Sequence, residues 1–246
     1  MQLKQKRAVV TGGGSGIGLA MALALAEEGA HVVITGRGET KLAAAAAQHA
    51  NISPYVCDVT DESAVVALRD AMDAAGGTDL LVNNAGVMHR FDVTQGFPLE
   101  KQLQEIEIDV AGPVRLIHHF LPGMLQRASV IVNVSSGLAY VPYAAAPVYS
   151  ASKAFLHSYT QGLRAQLAGT SVRVVELLPP VVDTEMAAAL DPSFARMAPE
   201  KLVAAFIKGL KNNAEEITPG QSVQLKLMSR LAPGFIFRQL NKSPRG

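Results

Sequence analysis

Residues 7–28 read RAVVTGGGSGIGLAMALALAEE, and the order of residue types in this stretch decides the fold. Arg7 to Thr11 is a short apolar run of strand type, Gly12 to Gly18 is the loop GGGSGIG, and Ile17 to Glu28 has helical spacing of apolar residues. A strand that turns through glycines straight into a helix opens a doubly wound α/β sheet. Glycines there let backbone N–H groups approach a phosphate, and the helix N-terminus adds a potential that favours its charge. The spacing is Gly12, three residues, Gly16, one residue, Gly18, which departs from the strict GxGxxG fingerprint, so its weight comes from context.

The context agrees along the chain. Further strands are expected at His31–Thr35, Pro54–Cys57, Leu80–Asn83, Ser129–Ser135, Ser171–Leu178 and Glu215–Thr218. Helices are expected at Lys41–Ala50, Glu62–Ala75, Glu100–Leu125, Pro147–Ala168 and Pro199–Leu210. Strand and helix alternating in this way give an α/β fold, a single Rossmann-type doubly wound parallel sheet of about seven strands with helices on both faces. With no internal repeat and no linker, one domain is expected over residues 1–246, with its core in 1–220 and a tail in 221–246. That tail mixes apolar and basic residues around Pro233-Gly234 and reads either as a packed or interface segment or as a membrane-surface or substrate-capping one.

Apolar residues make up 49% of the chain and charged ones 17%, a balance that excludes a disordered chain. Lysine and arginine number 22 against 21 acidic residues, so the net charge of +1 gives no footprint for nucleic acid. One cysteine, Cys57, cannot form an internal bridge, and the first apolar run is too short for a signal peptide. No apolar run reaches membrane-spanning length, so a cytoplasmic protein with no stable membrane insertion is expected. The histidines offer no ligand pair, His118 and His119 being adjacent on a helix, and no metal is expected.

The second strand ends in ITGRGE, which puts Arg37 where an acidic residue would bind the ribose 2′-hydroxyl of NAD. A guanidinium there accommodates the 2′-phosphate of NADP, so NADPH is the preferred cofactor and NAD the second choice. The alternative is an exposed Arg37 with Glu39 as the ribose acceptor.

Tyr149 and Lys153, in VYSASK, are four residues apart and share one helical face. A phenol titrates at about 10, too high for an efficient proton shuttle at neutral pH. A lysine cation about 4 Å away favours the phenolate by roughly 4 kcal/mol at an effective dielectric of about 20. Ser136 ends the strand SVIVNVSS, on the side where ligands of open sheets bind, and its hydroxyl is suited to hold a substrate oxygen against the tyrosine.

Together, TGGGSGIG, CDV around Asp58, NNAG from Asn83 to Gly86, NVSS ending at Ser136 and YSASK resemble the short-chain dehydrogenase/reductase family, single-domain type, over nearly the whole chain. FLPGM, NVSSGLAYVP, PVYSASKAFLHSYT, ELLPP and MSRLAPGFIFRQLN resemble more narrowly its DltE-like branch. The resemblance implies that Ser136 orients a substrate carbonyl, that Tyr149 gives or takes its proton, and that Lys153 lowers the tyrosine pKa and binds the nicotinamide ribose. Gly12, Ser15, Gly16, Ile17 and Gly18 would hold the pyrophosphate. Asp58 and the Val59 backbone would hold the adenine, and Asn84, Ala85 and Gly86 would line the middle of the cofactor. Thr184 and the Val182 backbone would meet the nicotinamide. The same resemblance implies a homodimer or homotetramer formed through Glu100–Leu125 and the helix of Tyr149.

Two positions depart from the family. Asp109, in IEIDVAG, stands where an asparagine holds a relay water, and it adds a charge that competes with Tyr149 for Lys153. Pro180 follows Pro179 where a glycine is usual, which stiffens the loop and removes an N–H. Met88, Leu138, Val141, Tyr143 and Met186 are candidates to line a pocket for a small, largely apolar carbonyl or alcohol, or to be plain core. Three functions fit in descending order: an NADPH-dependent oxidoreductase, a nucleotide-sensing protein that kept the fold without turnover, and a sugar epimerase or dehydratase, which normally needs a larger substrate domain.

Overall fold

A computed structural model describes residues 1–188, 190 and 192–242, so the last four residues of the expected tail lie outside it. Runs of valine, leucine and isoleucine form seven strands, β1 (Arg7–Thr11), β2 (His31–Gly36), β3 (Ile52–Val56), β4 (Leu80–Asn83), β5 (Ser129–Val134), β6 (Val172–Leu177) and β7 (Glu216–Ile217). All neighbours pair in parallel, in the order β3-β2-β1-β4-β5-β6-β7. Winding therefore reverses between β1 and β4, which opens a crevice at the carboxyl ends of those two strands.

The alternation along each strand feeds two cores. Ala8 and Val10 of β1, Leu80 and Val82 of β4, and Val130 and Val132 of β5 face one. Val9, Leu81 and Ile131 face the other. Helices α1 (Gly16–Glu27), α2 (Glu39–Ala46) and α8 (Pro199–Lys211) cover the first through Met21, Leu25, Leu42 and Phe206. Helices α3 (Glu62–Ala74), α5 (Gly112–Met124) and α6 (Pro147–Gln166) cover the second through Leu68, Leu116, Phe120 and Leu163. Burial on both faces is what makes these strands continuously apolar instead of alternating.

Three expectations change. β3 starts at Ile52, two residues earlier than the proline suggested, because β3 is an edge strand where Pro54 can pair with Ile34 without a second ladder needing its N–H. The expected single helix Glu100–Leu125 is instead α4 (Leu99–Ile106), a π-helical turn at Glu107–Ala111, and α5. A π turn adds a residue to the helical circuit and is often found at functional sites; here it carries Asp109. The tail folds into a helical hairpin, α9 (Gln221–Leu231) and α10 (Pro233–Leu240), joined at Ala232 ahead of Pro233. A short helix α7 (Glu185–Ala188) follows β6.

Candidate active site

Above the β1/β4 crevice lie two adjoining cavities, of about 500 Å³ and about 190 Å³, which share Gly12, Ser15, Ala85 and Gly86 in their walls. The glycine loop shapes their junction. Gly12 has φ +65°, and a Cβ there would sit 2.9 Å from the Ala85 Cα; a Cβ on Gly18 would sit 2.3 Å from the Gly12 carbonyl oxygen. Both residues must therefore be glycine for the loop to lie down on β4 and leave the space above it open. Thr11 locks the arrangement, its hydroxyl accepting from the N–H groups of Asn84 and Ala85 at 3.0 Å each. Asn84 in turn donates its amide to the Thr11 carbonyl at 2.9 Å.

The smaller cavity is lined by Arg37, Lys41, Asp58 and Val59. Arg37 is exposed at its rim, with no ion pair found for it among the described residues. Asp58 uses one oxygen to accept from Thr60 N–H and hydroxyl at 2.9 and 2.8 Å, an Asx turn that fixes the loop after β3. The chain has room and donors for an extended phosphate-bearing ligand: a glycine cradle, the N-terminus of α1 with no side chain capping it, and a basic rim.

The larger cavity is lined by Ser136, Tyr149 and Lys153 together with Asn84, Val182 and Thr184. Ser136 caps a 3₁₀ turn at Gly137–Ala139 and accepts from the Leu138 N–H at 3.2 Å, which leaves its hydroxyl proton to aim elsewhere. Helix α6 starts at Pro147, with Tyr149 and Lys153 in its first two turns. A buried polar ladder sets that helix against the sheet: Asn83 donates to Asn133 at 2.8 Å, and Asn133 donates to Thr160 at 2.9 Å. Of the expected pocket residues, Met88, Leu138, Tyr143 and Met186 line the cavity, whereas Val141 is buried and does not reach it. Pro180 lines it too.

Lys153 is 4% exposed, with its ammonium 5.2 Å from the centre of the Tyr149 ring and 3.3 Å from the Val134 carbonyl. Its counter-ion is Asp109, 3.2 Å away and fully buried. Asp109 also accepts from the Val87 N–H at 2.8 Å, so the π turn aims this carboxylate between the loop after β4 and Lys153. One helical turn earlier Glu105 is equally buried and accepts from the His89 N–H at 3.2 Å.

Burial raises the Tyr149 pKa, Lys153 lowers it as expected, Asp109 and Glu105 raise it, Ser136 lowers it, and the balance leaves the phenol above its ordinary range. Lys153 spends much of its field on Asp109. Burial pushes Lys153 down, but Asp109 and then Tyr149 outweigh it and hold the ammonium above its usual range. Asp109 itself is raised by burial against the pull of Lys153 and the Val87 N–H. Glu105 is pushed up to about 7, by burial and by Asp109, against the His89 N–H and Lys153. Two buried carboxylates facing one ammonium are thus both pushed towards their protonated forms.

Sequence reasoning missed Glu105, although its place four residues before Asp109 on a helix was a usable signal. Of the alternative readings of the tail, the capping one matches its place: the hairpin is a wall of the cavity, where Gln221, Gln224, Leu225, Ile236 and Leu240 close one side. A Cβ on Gly137 would lie 2.9 Å from Leu225, so the hairpin rests on the residue next to Ser136. Asn241 latches its end, accepting from the Ala144 N–H at 2.6 Å and donating to the Pro142 carbonyl at 3.1 Å.

The pattern of the short chain dehydrogenase family matches residues 6–193. The chain belongs to this family. An uncharacterized oxidoreductase of Bacillus subtilis, DltE, is 39% identical over 98% of each chain. An uncharacterized oxidoreductase of Staphylococcus saprophyticus is 36% identical over 89% of this chain and 98% of its own. Among solved structures, a short chain dehydrogenase from Burkholderia cenocepacia in complex with NADP superposes with a TM-score of 0.86 at 29% identity, covering 98% of this chain and 99% of that one. One from Burkholderia phymatum in complex with NAD gives 0.86 at 25% identity, covering 99% and 98%. The protein is thus an oxidoreductase of the short-chain type with a Rossmann sheet. Among the described residues no group of three or more His, Cys, Asp or Glu is placed to hold a metal, and no helix is long and apolar enough to cross a membrane.

Proposed function

We propose that the protein is an NADPH-dependent reductase or dehydrogenase that interconverts the carbonyl and alcohol of a small, largely apolar substrate. The observation that carries this reading is the convergence of Ser136, Tyr149 and Lys153 on a mostly apolar cavity that continues past the glycine loop to Arg37. Relatives in complex with NADP and with NAD support a nicotinamide dinucleotide in that groove, and Arg37 favours the 2′-phosphate form. Gly12 to Gly18 would hold the pyrophosphate, Asp58 and Val59 the adenine, Asn84 to Gly86 the middle, and Val182 and Thr184 the far end. When bound, the nicotinamide supplies or takes the hydride at the substrate carbon.

The chain's own groups handle the oxygen. Ser136 donates its hydroxyl hydrogen to the substrate oxygen and fixes it beside Tyr149. Tyr149 gives that oxygen its proton in reduction and removes it in oxidation. Lys153 stabilises the phenolate that results, and Asp109 keeps the ammonium charged and in place. The leucines, Ile236 and Met88 around this polar corner exclude water and select an apolar body. A homodimer or homotetramer belongs to the same reading: α4 exposes Leu99, Leu103 and Ile106, and α6 exposes Phe155.

NADPH oxidation followed with a panel of aliphatic and aromatic aldehydes and ketones tests the proposal. Tyr149→Phe is expected to lower kcat by about 10²- to 10⁴-fold with NADPH affinity retained. Arg37→Ala is expected to raise the NADPH KM and leave NADH nearly unchanged. Tight NADPH binding with no turnover of any carbonyl would overturn the enzyme reading in favour of a nucleotide sensor, and equal effects of Arg37→Ala on both cofactors would overturn the NADPH assignment.

A further inference from the structure

The α9–α10 hairpin has two working faces. Its inner face, with Leu225, Ile236 and Leu240, closes the catalytic cavity. Its outer surface carries large apolar side chains that stay exposed among the described residues: Val223 is 50% exposed, Leu227 55%, Leu231 71%, Phe235 54% and Phe237 43%. On α9 the residues Val223, Leu227 and Leu231 fall four apart and form one stripe, opposite the buried Ser222 and the cavity-lining Leu225. The stripe is therefore a surface in its own right and not the fraying edge of a core.

The charge of the segment is as one-sided as its apolar face. From residue 221 onward the sequence contains Lys226, Arg230, Arg238, Lys242 and Arg245 and no aspartate or glutamate. The chain as a whole has 22 basic and 21 acidic residues, so everything before the hairpin is net acidic. Lys226 turns inward and pairs with Glu216. Arg230, Arg238 and Lys242 are exposed, and Arg230 lies beside the Leu227 stripe. A helical segment with exposed apolar residues flanked by cations and with no acidic residue of its own fits the interface of an anionic bilayer: the side chains enter the acyl boundary and the basic groups meet the headgroups.

We propose that the outer face of the α9–α10 hairpin docks this protein, in the plane of the surface and reversibly, on membranes that contain anionic lipid. A second copy of the chain fits the face less well, because two such faces brought together juxtapose like charges with no acidic partner. Docking there would set the hairpin, one wall of the catalytic cavity, against the lipid. The proposal does not depend on turnover, so a variant with Tyr149→Phe docks as the native chain does.

The test is flotation of the full chain with vesicles of phosphatidylcholine alone and of phosphatidylcholine mixed with phosphatidylglycerol. Binding is expected to the anionic vesicles only, and to weaken as salt is raised. Replacing Arg230 and Arg238 together by glutamine should weaken it about 25-fold, at roughly fivefold for each basic group. Leu227→Glu combined with Phe235→Glu should abolish it. None of these four residues lines the cavity, so the melting temperature and the NADPH affinity should stay at native values, which separates lost docking from misfolding. Equal binding to neutral vesicles, or binding that survives the glutamate pair, would overturn the proposal. So would a chain that ignores vesicles and is a stable oligomer which the glutamate pair dissociates, since the face would then be a contact between copies.

Discussion

Two clusters of buried and half-buried carboxylates flank β5, and they are built on opposite terms. On the β6 side Glu176 is 1% exposed and fully partnered: it accepts from the Ser135 hydroxyl at 2.5 Å and lies 2.8 Å from His157 Nδ1. Next to it Glu216 accepts from the Tyr140 hydroxyl at 2.8 Å and from Lys226. Burial pushes Glu216 up, but those two hydrogen bonds and the Lys226 charge more than offset it and hold the carboxyl below its usual range. On the α4–α5 side Glu105 and Asp109 have one ammonium between them. The Glu105 Oε2 atom has no hydrogen-bond partner, and Asp109 Oδ2 meets Lys153 as an ion pair outside hydrogen-bond geometry. A satisfied network fixes shape, whereas an under-satisfied one keeps its energy in a protonation state.

Removing the best-partnered acid should therefore do the most damage. Glu176→Ala leaves the Ser135 hydroxyl and the His157 ring without their acceptor, in a strand that underlies the active site. A loss of about 3 kcal/mol is expected, seen in thermal unfolding as a fall of roughly 6 to 12 °C for a chain of this size. A change near zero would show that the β6 cluster is no more structural than its counterpart.

The counterpart should respond with the opposite sign. Glu105 has a folded-state pKa of about 7 against an ordinary value of 4.5. Between those values the folded chain binds a proton that the unfolded chain does not, so stability falls as pH rises from about 4.5 through about 7, and stays reduced above. Glu105→Gln removes that linkage. The variant should be more stable than the native chain at pH 8, by an amount of order 2 kcal/mol, and close to it near pH 5. Urea unfolding at the two pH values measures the difference; destabilisation at both would place Glu105 with Glu176.

The contrast between the clusters also marks what was legible in the sequence. The glycine loop, the alternation of strand and helix, and the spacing of Ser136, Tyr149 and Lys153 were readable because each depends on local pattern: a turn, a strand end, one helical face. Asp109 stood out as a departure from the family pattern, and its competition with Tyr149 for Lys153 was expected, but the geometry behind it was hidden. That depends on a π turn which no periodicity announces and on Glu105, whose burial only tertiary packing decides. Glu176 and His157 are 19 positions apart and meet across β6 and α6, so nothing in their spacing links them. The hairpin was ambiguous for a related reason: Leu225 and Leu227 look alike in sequence, yet one lines the cavity and the other is exposed.

The finest probe of the difference is Asp109→Asn, which leaves size and shape nearly unchanged. The asparagine carbonyl can still accept from the Val87 N–H, so the π turn keeps its anchor. What goes is the charge that draws Lys153 away from Tyr149. With the ammonium's field returned to the phenol, the Tyr149 pKa should fall, because Asp109 is one of the groups that raise it. In the oxidative direction, where Tyr149 must be ionised to accept a proton, the rise of kcat with pH should therefore move to lower pH. At neutral pH kcat should be equal or a few-fold higher, a change below about 1.4 kcal/mol in the barrier. A pH profile of kcat for alcohol oxidation, native against variant, decides it. A large loss at every pH would mean that the Asp109 carboxylate has a role of its own in the reaction, beyond its effect on Lys153.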